Sequence, residues 1–299
     1  MSSLPKKFQQ GKPPVDHDWM NYLREFHDHN PNITVNCITR YPTSAGCSSY
    51  ELLARQIDGV QPKPRVIVDL ACGSGPLIPL CLQKLGPDGK IYGIDMSKGE
   101  LEAAHKKISA SNVEFLCEEA QRLSLPDNSV DMILSSLAFM LMKPVEPVVR
   151  EIARILRPGG IFAATILIPS KEDSLYFQFA KLALDVLMEE FSKASGGTST
   201  PFEGPSDPKT YTKETLQILF KNESKFSEIM TIQDHEYVIA EKPDGLWNNL
   251  KEFYLPSLLS AKGHQKLQQK TIDLFSSRTG KDGKTTLLLP FRFFSIQKR

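Results

Sequence analysis

Cysteine is scarce in this chain. Five occur in 299 residues, Cys37, Cys47, Cys72, Cys81 and Cys117, and no two form a CxxC pair. Odd in number and without a histidine cluster, they argue against a disulfide framework and a zinc site and fit a reducing compartment. A surplus of either charge is also missing: 36 lysines and arginines against 35 acids leave a formal net charge of +1. No long basic run marks an electrostatic footprint for nucleic acid. No apolar run is long enough to span a bilayer, and the polar start MSSLPKKFQQGKPPVDHDW has no apolar segment of a secretory signal. The cytoplasm is the expected location, and neither a membrane span nor a nucleic-acid partner is expected.

What is there is a rhythm. A loose arm over 1–15 precedes a helix over 16–29 with Asp16 or Asp18 as its cap, and SSYELLARQI (48–57) reads as a second amphipathic helix. PKPR then leads into an apolar strand over 66–70. Next come helix 77–85, strand 91–95, helix 98–110, strand 113–116, strand 130–136, helix 147–156 and strand 161–168, with LRPGG as the stop of the last helix. Strands alternating with helices at this spacing imply parallel pairing through right-handed crossovers, a doubly wound α/β sheet. Beyond Pro169 the rhythm changes to a long helix over 172–191, a Gly/Ser/Thr/Pro-rich stretch at 195–209, a short helix TKETLQILF, a strand over 228–240, helices over 244–278 and a strand over 287–297. The expected organisation is an N-terminal helical lid (1–60), a ligand-binding core (61–170), and lid insertions with C-terminal strands (171–299) completing the same domain.

The stretch VIVDLACGSGPLIPL (66–80) carries the chemistry. A tight strand-to-helix turn needs glycine for its backbone but no acid. Asp69, set among apolar residues, is costly to bury unless paired, and a ligand with an ammonium group is one possible partner. A dinucleotide and a charged nucleoside compete for such a turn. Asp95 closes the next strand twenty residues after Gly75, about where a nicotinamide fingerprint places its ribose-binding acid. That fingerprint needs G-x-G-x-x-G, and Ile78 holds the third glycine's place. With an acid just upstream, a ribose without a pyrophosphate fits better.

DLACGSG followed by GIDMS, then FLCEEAQRLSLPDNSVDMILSS and LRPGG, resembles the ordered motifs of class I S-adenosylmethionine-dependent methyltransferases over residues 60–170. The nearest resemblance is to the small-molecule branch with ubiquinone- and menaquinone-type enzymes. It implies a Rossmann-like, mainly parallel seven-stranded sheet with helical lid insertions, and S-adenosylmethionine as cofactor. It further implies that Asp69 and the backbone of Ala71, Gly73 and Gly75 hold the methionine part. Asp95 would accept both ribose hydroxyls, and Met96 would pack on the adenine. Glu119 would address the adenine edge, with the Ala120 backbone completing that contact, and Ser135, Ser136 and Leu137 would lie beside the sulfonium. Simpler roles stand next to these: Asp95 as cap of the following helix, Glu119 as a solvated loop acid, LRPGG as a structural stop. The strand ending at Ser136 lacks the acid/Asn-Pro-Pro-aromatic signature of enzymes that methylate nucleobase or amide nitrogens. Where small-molecule members often carry a histidine after this strand, the chain has Leu137, Ala138 and Phe139.

No motif marks a catalytic residue. His17, His27, His29, His235, His264, Tyr22 and Tyr41 are candidate bases, each with a structural role as the alternative, and His105 is expected to face solvent. The helix bearing Trp19, Tyr22 and Phe26 reads either as a lid whose rings cover a cation or as a docking face on the sheet. Arg40 either pairs with the cofactor carboxylate or lies on the surface. Along 174–191, Leu175, Phe179, Leu182, Val186, Leu187 and Phe191 form one apolar stripe and Tyr176, Ala180, Leu184 and Met188 a second. The second stripe serves either as a pocket wall or as a homodimer interface. The expected function is in-line methyl transfer to a small, largely apolar acceptor, with no metal. A cyclase or isomerase binding the same cofactor, and behind it a nicotinamide oxidoreductase, are the alternatives.

Overall fold

The computed structural model describes residues 3–196, 203–222 and 225–299. Part of the Gly/Ser/Thr/Pro-rich stretch, 197–202, lies outside the described residues. Helices α1 (Ser3–Gln9) and α2 (Asp16–His29) come first. The cap of α2 is Val15, whose amide donates to Asp18 Oδ2 at 2.9 Å, so the expected acid acts from inside the first turn. Helix α3 (Ser49–Ala54) opens with a reciprocal cap, Ser48 Oγ accepting from the Glu51 amide at 3.1 Å and Glu51 Oε2 from the Ser48 amide at 2.7 Å.

Then the alternation begins. β1 (Val66–Leu70), α4 (Ile78–Leu85), β2 (Lys90–Asp95), α5 (Lys98–Lys107), β3 (Val113–Cys117) and β4 (Val130–Ser136) follow in order. β1 pairs in parallel with β2 on one side and with β4 on the other. Strand order therefore reverses beside β1, which opens a crevice at the carboxyl ends of the strands. Helix α6 (Val145–Ile155) buries Val145, Val148, Val149, Ile152 and Ile155, the stripe of a helix lying on a sheet. LRPGG stops it as expected, Leu156 being its extended C-cap, and the same residue opens β5 (Leu156–Leu167) by pairing with Val130. A register shift follows between Val130 and Met132, with Gly159 at φ +80 absorbing the irregularity.

The C-terminal part contributes α7 (Leu175–Ala194), α8 (Lys213–Asn222), β6 (Phe226–Glu241), α9 (Pro243–Leu250), α10 (Ala261–Ser276) and β7 (Thr285–Lys298). β7 lies antiparallel between β5 and β6, giving one seven-stranded sheet in the order β3-β2-β1-β4-β5-β7-β6. Its central position explains the near-continuous burial of Phe291 to Ile296, whereas edge strand β6 keeps a largely polar, half-covered pattern. Helices pack on both faces. Leu53, Ile57, Ile78 and Cys81 lie against Ile67, Ile91 and Met132 on one. On the other, Phe139, Phe162, Phe220 and Phe294 form an aromatic cluster, Phe139 and Phe162 being 5.2 Å apart. Among the described residues, no helix is long and apolar enough to cross a membrane.

Helix α2 crosses α5 where Gly99 lets the backbones meet; a Cβ built there would lie 2.3 Å from the Asp28 carbonyl oxygen. In an isolated helix Gly→Ala is stabilising by about 1 kcal/mol. Here Gly99→Ala is expected to destabilise by about 1–3 kcal/mol through overpacking, read as a lower urea midpoint. A stabilised variant would show that α2 does not sit on α5.

Candidate active site

The crevice beside β1 is roofed by α2 and by the loop carrying Tyr254, and it encloses a cavity of about 120 Å³. Asp69 and Ala71 reach it from the end of β1, and Gly73 from the turn. Asp95 and Met96 reach it from β2, Ala120 from the loop after β3, and Ser136 from β4. The topology brings these together because parallel strands end on one edge. Three expected residues stand elsewhere: Ser135, fully buried within β4, and also Gly75 and Glu119. Gly75, at φ +78, shapes the turn and packs: a Cβ there would lie 2.5 Å from Ile108 Cδ1. Glu119 does not line the cavity; half-exposed, it makes an ion pair with Arg24 of α2. Its neighbour Glu118 lines the cavity instead, its Oε2 accepting from the Ser124 amide at 3.0 Å.

The wall is acidic. Asp69, Asp95, Glu100 and Glu118 line it, and among the described residues no lysine or arginine does; His27 is its one basic side chain. Asp69 is 2 % exposed, and its Oδ2 is buried with no hydrogen-bond partner. Burial first, then the nearby Asp95 charge, pushes its carboxyl up to about 8. Asp95 is raised too, mainly by burial, against hydrogen bonds that favour its charge: Oδ2 accepts from the Gly73 amide and Oδ1 from the Ser97 amide, both at 2.8 Å. It thus ties the glycine turn to the start of α5 while facing the cavity. The formal cap of α5 is Ser97, whose Oγ accepts from the Glu100 amide at 3.1 Å. Strained backbone gathers here: Asn32 (φ 68), Ala71 (φ 57) and Leu137 (φ 53), all lining the cavity, are non-glycine residues in the left-handed region.

Helix α2 presents a different face from the one its rings suggested. Trp19 and Tyr22 turn into the core, Trp19 Nε1 donating to the Glu203 carbonyl at 2.9 Å, while Met20, Leu23 and His27 line the cavity. Arg40 lies outside it, donating to Tyr41 Oη at 2.7 Å and Asn249 Oδ1 at 3.1 Å. His17, His29, His235 and His264 do not line it, nor do Tyr22 and Tyr41, and His105 is exposed as expected. No residue of α7 lines it either: Phe179, Ala183, Val186, Leu187 and Phe191 are buried, and Tyr176, Leu182 and Met188 pack against the same core. Neighbouring α1 and α10 supply the second covering face, leaving Leu184 exposed at 41 %. The pocket wall is instead built by α2, the segment after it, and Leu137 to Met142. Sequence reasoning missed Glu100, which looks like a routine first-turn acid, and Tyr254 and Gln121, which carry no local signal.

Residues 68–164 match the family described as methyltransferase domain. That stretch, the middle of the chain, is similar to a methyltransferase domain. Demethylmenaquinone methyltransferase of Symbiobacterium thermophilum is 35 % identical over 117 residues, covering 38 % of this chain and 46 % of the relative. The enzyme of the same name from Geobacillus stearothermophilus is 28 % identical over 117 residues, covering 38 % and 49 %. The chain thus spans about half the length of the curated relatives it matches. Among solved structures, a putative methyltransferase from Bacillus halodurans aligns with a TM-score of 0.56 at 13 % identity, over 84 % of this chain and 98 % of its own. YcgJ from Bacillus subtilis aligns at 0.54 and 17 %, over 84 % and 98 %. These share the fold.

S-adenosylmethionine, the cofactor of this domain class, suits the residues present. Its ammonium and sulfonium match an acidic wall with an unpartnered buried carboxylate oxygen, and among the described residues that wall has no lysine or arginine to meet a pyrophosphate. Without a bound cation, Asp69 gains a proton on folding. Stability from this group is therefore full below the unfolded carboxylate range near pH 4 and lost as pH rises toward about 8. The chain without added ligand is expected to lose thermal stability over that interval, and Asp69→Asn to flatten the decline. An unchanged slope in the variant would show that Asp69 does not hold the buried proton.

Proposed function

We propose that the protein transfers the methyl group of S-adenosylmethionine to a small, largely apolar, ring-containing acceptor. The observation that carries this reading is the ring of four carboxylates, without lysine or arginine, at the switch point of a methyltransferase-type sheet. Bound there, the cofactor supplies an electrophilic methyl carbon on a sulfonium, so the chain mainly has to align the partners and exclude water. Asp69 would meet positive charge in the methionine part. Asp95 has lone pairs beyond those used by Gly73 and Ser97, and these suit ribose hydroxyls. Met96 and the Ala120 backbone would hold the adenine, with Gln121, whose Oε1 is buried and unpartnered, beside them. Ser136 and Leu137 would flank the reacting carbon, while Met20, Leu23, Leu141 and Met142 close an apolar rim that keeps water out.

The apolar rim supports an acceptor of the kind the relatives are named for, demethylmenaquinone. All five cysteines are unpaired, which suits the reducing, cytoplasmic location proposed with this activity. Calorimetry should show binding of S-adenosylmethionine and S-adenosylhomocysteine and none of NAD or NADP; the reverse would sink the reading. Asp95→Ala should weaken cofactor binding by about 1.5–3 kcal/mol, the range for a hydrogen bond to a charged group, with the circular dichroism spectrum retained. Full affinity in that variant would remove the ribose assignment.

A further inference from the structure

His27 on α2 sits between two partners from distant parts of the chain. Its Nδ1 lies 3.1 Å from Glu100 Oε1 on α5, and its Nε2 lies 3.0 Å from the Tyr254 hydroxyl; all three residues line the cavity. An ionised carboxylate only accepts hydrogen bonds, so Glu100 fixes the proton on Nδ1. In the neutral ring Nε2 is then the acceptor, and the Tyr254 O–H donates to it. This order leaves lone pairs of the Tyr254 oxygen available to a donor in the cavity. Glu100 is 3 % exposed and is itself held, Oε2 accepting from the Asn32 amide at 3.0 Å. Tyr254 is anchored behind: its carbonyl accepts from the Tyr22 hydroxyl at 2.9 Å and Ser257 Oγ at 2.8 Å, and Phe26 packs edge-on at 5.1 Å.

Resting on the methyl-transfer reading above, we propose that Tyr254, His27 and Glu100 form a proton relay that deprotonates a hydroxyl-bearing acceptor, of the phenol, catechol or quinol class. The acceptor O–H bond breaks and its proton goes to the Tyr254 oxygen, while the Tyr254 proton passes to His27 Nε2. The resulting imidazolium is paired with Glu100. The acceptor oxygen forms the bond to the methyl carbon as the sulfur takes the carbon–sulfur electron pair. Where the ring carbon it activates attacks instead, that carbon then loses its own proton and the oxygen regains one, which restores the aromatic hydroxyl compound. The proton on His27, whose side chain is 19 % exposed, then leaves to water. Burial pushes the Tyr254 phenol up, so it keeps its own proton and serves as a conduit to His27. Carboxylate, imidazole and hydroxyl in hydrogen-bonded series are the arrangement of a base oriented by an acid. Glu100 is the positioning residue. The acids facing the imidazole are Glu100 and, from the end of β2, Asp95.

The test uses the full chain with S-adenosylmethionine and a short-chain prenyl naphthoquinol, a catechol and a phenol, following S-adenosylhomocysteine release. Tyr254→Phe and His27→Gln should each lower kcat at least tenfold on an accepted hydroxyl compound while calorimetric affinity for S-adenosylhomocysteine stays within threefold. Glu100→Gln should displace the acidic limb of the kcat–pH profile. Tyr254→Phe removes a single oxygen, and its melting temperature checks that the fold survives. Should His27→Gln fail to fold, Tyr254→Phe alone decides. Parallel loss of cofactor affinity and turnover would make the three residues a cofactor clasp and overturn the relay. So would unchanged kcat in the variants, or methylation of none of the hydroxyl compounds. Failure of the parent chain to bind S-adenosylmethionine would instead overturn the methyl-transfer reading beneath it.

Discussion

A carboxylate oxygen of Asp69, buried at the end of β1 without a hydrogen-bond partner, sets the terms for everything around it. An unpaired buried charge is among the most expensive groups a fold can carry. The sheet holds it in place regardless: β1 is hydrogen-bonded on both sides, with Asp69 in register with Gly93 of β2 and Leu134 of β4. The residue cannot swing out to water without breaking the centre of the sheet. Folding therefore keeps a proton on it or waits for a cation: among the described residues the cavity wall has no lysine or arginine, and its one basic side chain, His27, is engaged by Glu100. Backbone strain at Ala71 and Leu137 beside it belongs to the same account, since sparsely populated conformations persist where the surroundings over-determine them.

The roof depends on the same strand ends. α2 is fastened along α5 by His27 to Glu100 and by Asp28, whose Oδ1 accepts from Ser97 Oγ at 2.8 Å and from the Gly99 amide at 3.1 Å, and Arg24 adds an ion pair to Glu119 in the loop after β3. The groups that grip the lid are thus neighbours in sequence of those that face the cavity. Seated on α5, the helix adds Met20, Leu23 and His27 to the wall. Exposed pairs such as Arg24–Glu119 contribute little by themselves. The burial of Trp19, Tyr22 and Leu23 against the core supplies the larger share of the docking energy.

The wall has two chemical halves. One is acidic and lies along the ends of β1 and β2; the other is apolar, made by Leu23, Leu137, Leu141 and Met142. Under the proposed function, a cationic nucleoside and an apolar acceptor would each have a matching half to occupy, with the reacting atoms at their junction near Ser136. Apolar surroundings also strengthen the polar contacts inside by lowering the local dielectric.

The alternation of strands and helices from 66 to 168, the acid before the glycine turn and the acid ending β2 were legible in the sequence, because each rests on local rules: hydrophobic period, turn chemistry, and the parallel pairing that alternation imposes. Asp69, Ala71, Gly73, Asp95, Met96, Ala120 and Ser136 reach the cavity for that reason, since strand ends of a parallel sheet share one edge. What lay beyond local rules was decided by packing. Gly75 and Gly73 look alike in a motif, yet the first is spent against Ile108 and the second donates to Asp95. Glu118 and Glu119 differ only in which way a loop turns, and Arg24, 95 residues upstream, takes the second. The two apolar stripes of α7 could not reveal that α1 and α10 would cover them. Tyr254 meets His27 across 227 residues of chain, a contact made by α2 and the C-terminal segment packing over the same strand ends.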